Sequence, residues 1–100
     1  MIRATDWRPL ERGTLRGFLT LHLDSGIVLR DCGLHKKGDS EWVSLPAKPQ
    51  VDRDGQPRRD PQTGRLQYST VVEIPDRTRR EQFRAAALAA AHELLGETVA

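Results

Sequence analysis

The sequence is poor in the residues that most chemistry depends on. It has one cysteine, one methionine, one tyrosine and five aromatic residues in 100 positions. A lone Cys32 has no partner for an intrachain disulfide, so a reducing, cytoplasmic setting is the expectation. No stretch comes near the ~20 apolar residues of a membrane span. The opening MIRATDWRPLERG lacks the apolar run of a secretory leader, so no membrane is expected as a partner. Glycine-rich phosphate loops of the P-loop or dinucleotide type are also missing. His22, His35 and His92 are scattered along the chain, and Cys32 and His35, three apart on a strand, point to opposite faces. A closed zinc site needs four ligands, which this pattern does not supply. Asp31, Asp39 and Glu41 come with no nucleophile or oxyanion device. The expectation is therefore no metal, no cofactor and no catalysis.

What the chain does have is charge. Charged residues make up 30%, yet 16 Lys and Arg stand against 14 Asp and Glu, for a net charge of +2. Hydrophobic residues, at 37%, suffice for one small folded domain over residues 1–100. A core of that size is commonly supported by a second copy, so a homodimer is expected. The basic charge is partly segregated. Residues 77–84 carry Arg77, Arg79, Arg80 and Arg84 against Glu81 alone. Residues 48–65 carry Lys48, Arg53, Arg58, Arg59 and Arg65 against Asp52, Asp54 and Asp60. Residues 85–100 hold Glu93 and Glu97 and no cation.

Alternation in LRGFLTLHL, residues 15–23, predicts a half-buried strand with Leu15, Gly17, Leu19, Leu21 and Leu23 on one face. DSG at 24–26 predicts a hairpin turn into IVLRDCGL. KKGDS turns the chain again into a short strand, EWVSLP. IRATDW predicts a further strand, stopped by Pro9. Residues 47–65 have no periodicity and read as a flexible binding loop or an extended β-arm. LQYSTVVEI, residues 66–74, returns to strand. A helix follows, with Thr78 as N-cap at capping-box spacing from Glu81 and Gly96 as its stop. Arg77 then lies just outside it. Phe83, Ala87, Ala90, Ala91 and Leu94 share one arc, thinned by six alanines between 85 and 91. The fold class is α+β: an antiparallel sheet of four to five strands, a long loop or β-arm, and one C-terminal helix.

The arginines sit where the helix dipole disfavours cations. Local rules tend to be broken where function asks for it, and paired guanidinium forks suit phosphate. Arg80 and Arg84 are neighbours at i and i+4, with Arg77 and Arg79 beside them. Lys48, Arg58, Arg59 and Arg65 offer a second set from the loop. Trp42 and Tyr68 flank that loop and are candidates for base stacking. These features predict a nucleic-acid-binding module that grips DNA or RNA through phosphate. The competing class is a protein-interaction module that dimerises through the alanine-rich helix and the arm.

The order of parts also resembles a known family. ATDW near the start, the hairpin strand with Asp31 after IVLR, and Trp42-Val43-Ser44-Leu45-Pro46-Ala47-Lys48 before a charged loop, a strand and an Arg-bearing helix resemble the stage V sporulation protein G family, the septation regulators of bacteria. The likeness runs from about residue 4 to residue 95. It implies a small dimeric bacterial regulator that binds nucleic acid, with Arg77, Arg79, Arg80 and Arg84 in the contact region. Where that family has an Asp-x-x-His-Pro-Ile-like segment, this chain has YSTVVEIPD, after a longer loop.

Overall fold

Short turns make the first half of the chain a meander. The structure is a computed structural model describing residues 1–99, with side chains described through Gly96. Strands β1 (Arg3–Arg12), β2 (Leu15–His22), β3 (Val28–Lys37) and β4 (Ser40–Ser44) form one antiparallel sheet in chain order. The β3–β4 connection is the two residues Gly38 and Asp39, closed by the pair Lys37↔Ser40. Gly38 has φ +60 and Asp39 no positive φ. A left-handed first residue is the requirement of the hairpin turn that matches sheet twist. A second, two-stranded sheet pairs β5 (Ala47–Pro49) with β6 (Tyr68–Thr70), and α1 (Arg77–Val99) closes the fold. The architecture is α+β.

The helix packs across one face of the larger sheet. Leu19, Leu21, Cys32, Leu34 and Val43 are buried there against Ala87, Ala90 and Ala91, with Ala4 and Leu29 completing the core. Alanine on the helix face brings the two layers close. Burying a leucine such as Leu19 or Leu21 is worth about 1.5–3 kcal/mol. The opposite face of the sheet carries no helix. It holds Arg8, Phe18, His35, Trp42 and Ser44, placed together by the pairs Arg8↔Phe18, Phe18↔Gly33, Gly33↔Ser44 and His35↔Trp42.

Two bulges flank the middle of β2. Asp6 on β1 (φ 59) and Asp31 on β3 (φ 60) are the described non-glycine residues with left-handed backbones, and each sits at a register shift opposite Leu19–Thr20. Aspartate tolerates that conformation better than most residues. Arg8 then reaches Asp31 at 2.5 Å while lying over the Phe18 ring at 5.8 Å.

Several sequence expectations need correction. Pro9 does not stop β1, which continues to Arg12 with Pro9 opposite Gly17. β1 is an edge strand, where the missing N–H costs no ladder bond on the open side. Leu15 does not share the face of Leu19. A register shift between Leu15 and Gly17 pairs Leu15 with His35 and turns it to the helix-free face. Of residues 66–74 only Tyr68–Thr70 is strand, because the partner β5 begins at Ala47, opposite Thr70. The helix starts at Arg77, so Thr78 lies inside its first turn and Asp76 is the cap. Gly96 does not end the helix, which runs on to Val99.

Residues 47–70 form the β-arm. Segment 57–59 lies between the two sides of the arm: Arg58 N donates to Gln50 O at 2.9 Å and Gln67 N to Arg58 O at 2.9 Å. The turns on either side are built on aspartates. Asp52 Oδ1 accepts from the backbone N–H groups of Asp54 and Gln56, and Asp60 Oδ1 from those of Gln62 and Thr63. This is the usual Asx-turn chemistry.

Candidate nucleic-acid interface

Asp76 organises the start of α1. Its Oδ2 accepts from Arg79 N at 2.8 Å and its carbonyl from Arg80 N at 2.9 Å. The carboxylate satisfies an orphan N–H and offsets the positive end of the dipole. The four arginines around it have different fates. Arg77 is exposed and pairs with Glu81 at 3.3 Å, one turn on. Arg80 is half-buried and donates from Nη1 to Ile74 O at 3.3 Å. Arg79 and Arg84 are exposed, and among the described residues neither lies within ion-pair distance of a carboxylate.

Arg80 and Arg84 share a groove of about 570 Å³ between the start of α1, the end of β4 and the base of the arm. Leu45, Val72, Ile74 and Phe83 supply apolar lining, and Glu73 is the carboxylate on its wall. Trp42, 37% exposed, belongs to the β4 edge of this groove, but its side chain lies on the helix-free face of the sheet. Its ring stacks on His35, with centroids 5.3 Å apart and planes 3° from parallel. Burial holds the His35 pKa below its ordinary 6.5, which favours a neutral ring. Its Nδ1 meets Thr14 Oγ1 at 3.0 Å and its Nε2 meets Ser44 Oγ at 3.1 Å. His35 is thus fixed at both nitrogens.

The remaining candidates lie on the arm. Lys48 and Arg58 line a second hollow of about 280 Å³. Lys48 pairs with Ser69 and Pro49 with Tyr68, so strand alternation places Lys48 and Tyr68 on opposite sides of the arm. Tyr68 is 56% exposed. Arg59 donates to Gly64 O at 3.0 Å, and Arg65 is exposed. The structure therefore joins Arg80 and Arg84 in one groove and Lys48 with Arg58 in another, and turns the Trp42 ring to the opposite face of the sheet. It leaves Arg77 and Arg79 on the outer helix surface and Arg59, Arg65 and Tyr68 along the arm.

Sequence reasoning missed two organising residues. Asp76 was legible as a capping residue after Pro75, but the Thr78–Glu81 spacing offered a competing start. His35 had no signal beyond its strand position, because its role depends on the partner at position 42 across a hairpin. His92 is exposed and lies 3.2 Å from Glu41. His22 contacts Thr5 Oγ1 at 2.8 Å.

Among the described residues no group of three His, Cys, Asp or Glu side chains is placed to hold a metal ion. No described helix is long and apolar enough to cross a membrane. The fold and groove define a small α+β domain with a cationic cleft at the start of its helix. Compared with known families, curated proteins and solved structures, the chain matches none.

Proposed function

We propose that this chain is a nucleic-acid-binding module that holds phosphate in the groove at the start of α1. The observation that carries this reading is the convergence of Arg80 and Arg84 on one groove. Guanidinium forks match phosphate oxygens in pairs, and a groove of this kind tracks a backbone rather than reading bases. Nearby acids do not cancel the cations by direct pairing. Asp76 is engaged with a helix N–H, Asp52 and Asp60 with turn N–H groups, and Glu73 on the groove wall forms no ion pair among the described residues. Arg79 reinforces the field from the helix surface. Lys48, Arg58, Arg59 and Arg65 make secondary contacts from the arm.

The same proposal places the protein in the cytoplasm, acting as a homodimer without catalysis, as a distant relative of the stage V sporulation protein G family. The buried, unpaired Cys32 and the motifs from Ala4 to Lys48 support that placement. The interaction-module alternative is weaker on one point. Ala87, Ala90 and Ala91 are already covered by the chain's own sheet, which leaves Ala85, Ala86 and Ala89 exposed for a partner.

Retention of labelled DNA and RNA at several salt concentrations tests the proposal. Affinity falls with salt by about 0.9 log–log units per neutralised phosphate on duplex and about 0.7 on single strands. Arg84→Glu abolishes most binding and flattens that slope. Arg77→Glu, at a residue already paired with Glu81, has a smaller effect. Binding that ignores Arg84, or no binding at low salt, refutes the reading.

A further inference from the structure

We infer that the helix-free face of the large sheet is a second nucleic-acid surface, specific for single strands, where unpaired bases stack on rings and cations of β1 and β3 hold phosphate. It shares a ligand class with the groove at the start of α1 but none of its arginines, so each can fail alone. Cross-strand pairing builds this face in adjacent rows. Arg12↔Leu15, Leu15↔His35 and His35↔Trp42 make one row across all four strands. Arg8↔Phe18, Phe18↔Gly33 and Gly33↔Ser44 make the next. Directly paired residues point the same way, so both rows open on the side that carries no helix. Lys37, two residues beyond His35, joins that side by strand alternation.

The charge of this face has one sign. Arg8, Arg12 and Lys37 are exposed on it. Arg8 is bonded to Asp31 at 2.5 Å, while Arg12 and Lys37 form no ion pair among the described residues. A second copy presenting the same face would bring like charges together, so this side of the sheet suits a polyanion rather than a dimer contact. The rings are held before any ligand arrives. Trp42, 37% exposed, is backed by His35, parallel at 5.3 Å. His35 cannot swing without giving up Thr14 at Nδ1 and Ser44 at Nε2. A backed ring loses little conformational freedom on stacking. One row away, Phe18 carries the Arg8 guanidinium over its ring at 5.8 Å, and a guanidinium plane stacks bases as a ring does. Bases in a duplex present only their edges in the grooves, so these surfaces serve bases that are unpaired. Cations for the backbone beside rings for the bases are the two elements of single-strand binding, and an open four-stranded sheet is one of the scaffolds that offers them.

The decisive comparison uses the wild-type protein and three ligands of equal length: a single-stranded oligothymidine, a duplex, and an abasic strand with sugar and phosphate only. The expected order is oligothymidine tightest, with the abasic strand weaker at every salt concentration. Trp42→Ala weakens the oligothymidine by about 5- to 150-fold, the span that ~1–3 kcal/mol per stacked base represents. It leaves the abasic strand unchanged, and Trp42→Phe restores part of the loss. Arg12→Glu, at an exposed residue without an ion pair, leaves the fold intact and weakens both strands. Arg84→Glu lowers the affinity for every ligand, yet oligothymidine stays preferred over the abasic strand. Ultraviolet crosslinking with peptide mapping places a thymidine adduct on Ser40–Ser44, the strand that carries Trp42.

Equal affinity for the abasic strand and oligothymidine, or oligothymidine binding indifferent to both Trp42→Ala and Arg12→Glu, overturns the sheet-face inference. Preference for duplex does the same. If Arg84→Glu still abolishes binding in those cases, the groove reading stands. Oligothymidine binding that responds to Trp42 and Arg12 but ignores Arg84 overturns the groove reading and sustains the sheet face. Polyglutamate bound in place of every oligonucleotide overturns both.

Discussion

Gly17→Ala and Gly96→Ala are the same chemical change, and the structure gives them opposite signs. Neither glycine has a left-handed backbone, so alanine is conformationally acceptable at both. On backbone entropy alone each substitution stabilises by roughly 0.5–1 kcal/mol. At Gly96, on α1, an added Cβ meets nothing within 4 Å, so that gain stands, reduced by nearness to the helix end. At Gly17 the added Cβ falls 2.5 Å from Trp7 Cη2 and 2.6 Å from Arg8 O. Comfortable contacts between carbons are ~3.5–4.0 Å, so the overlap is on the order of 1 Å. The indole can swing aside, but Arg8 O belongs to the backbone of β1, which pairs with β2 on either side of this point through Arg8↔Phe18 and Pro9↔Gly17. Relief requires moving a strand. Overpacking of this kind costs about 1–3 kcal/mol, which exceeds the entropic gain. The net expectation for Gly17→Ala is destabilisation by about 1–2 kcal/mol, and each kcal/mol lowers the melting temperature by roughly 4–8 °C in a domain of this size. Thermal unfolding followed by circular dichroism, at one fixed protein concentration, reads both variants. Trp7→Ala combined with Gly17→Ala recovers part of the cost, because the ring contact is gone while the carbonyl contact remains. A Gly17→Ala protein that melts at or above the wild type refutes the placement of Trp7 and Arg8 over β2.

Asp76→Ala, which removes the carboxylate bonded to Arg79 N, costs about 1 kcal/mol, while Thr78→Ala is nearly neutral; equal losses in the same melting assay place the cap elsewhere. Burial lowers the His35 pKa in the folded state, so the native protein binds fewer protons there than the unfolded chain. Its contribution to stability is whole above the ordinary value of 6.5 and is lost as pH falls through the lowered one. Urea unfolding across that window shows the decline in the wild type, and a His35→Gln variant shows a flatter profile.

Much of the fold follows from local signals. The alternation of residues 15–23, the DSG turn and the alanine-bearing helix face correspond to β2, the β2–β3 turn and the buried arc of α1. The departures in the sheet have one common cause, which is that register is a property of two strands. Leu15 obeys the alternation of its own segment, yet a shift against β3 sends it to the other face. Pro9 breaks a strand only where its N–H is needed, and nothing in IRATDW says that this strand lies at an edge. The arm was legible as an alternative to a loop because a strand stands on either side of residues 47–65. Its pairing of Gln50, Arg58 and Gln67 was not, since three contacts distant in sequence settle it together. The site divides in the same way. Arg80 and Arg84 were visible through their i, i+4 spacing, but the side of the sheet that takes the Trp42 ring is settled by its pairing with His35, seven residues earlier on another strand.

The arginines of residues 77–84 are less anomalous than the bare sequence makes them. A helix dipole acts within its first turn, so its penalty falls on Arg77, Arg79 and Arg80 and not on Arg84. Asp76 brings a full negative charge to that same turn, bonded to Arg79 N. Glu81 answers Arg77. Arg80 draws its aliphatic stem and one N–H toward the chain around Ile74, leaving the rest of its fork at the groove. Arg84 lies a turn deeper along the helix, in the groove with Phe83 and Glu73, and among the described residues it forms no ion pair. Under the proposed function the energetic centre therefore lies at Arg84 in the groove rather than at the helix tip. Charge reversal at Arg84 has to exceed charge reversal at Arg79, although Arg79 sits closer to the helix end and is equally free of ion pairs among the described residues.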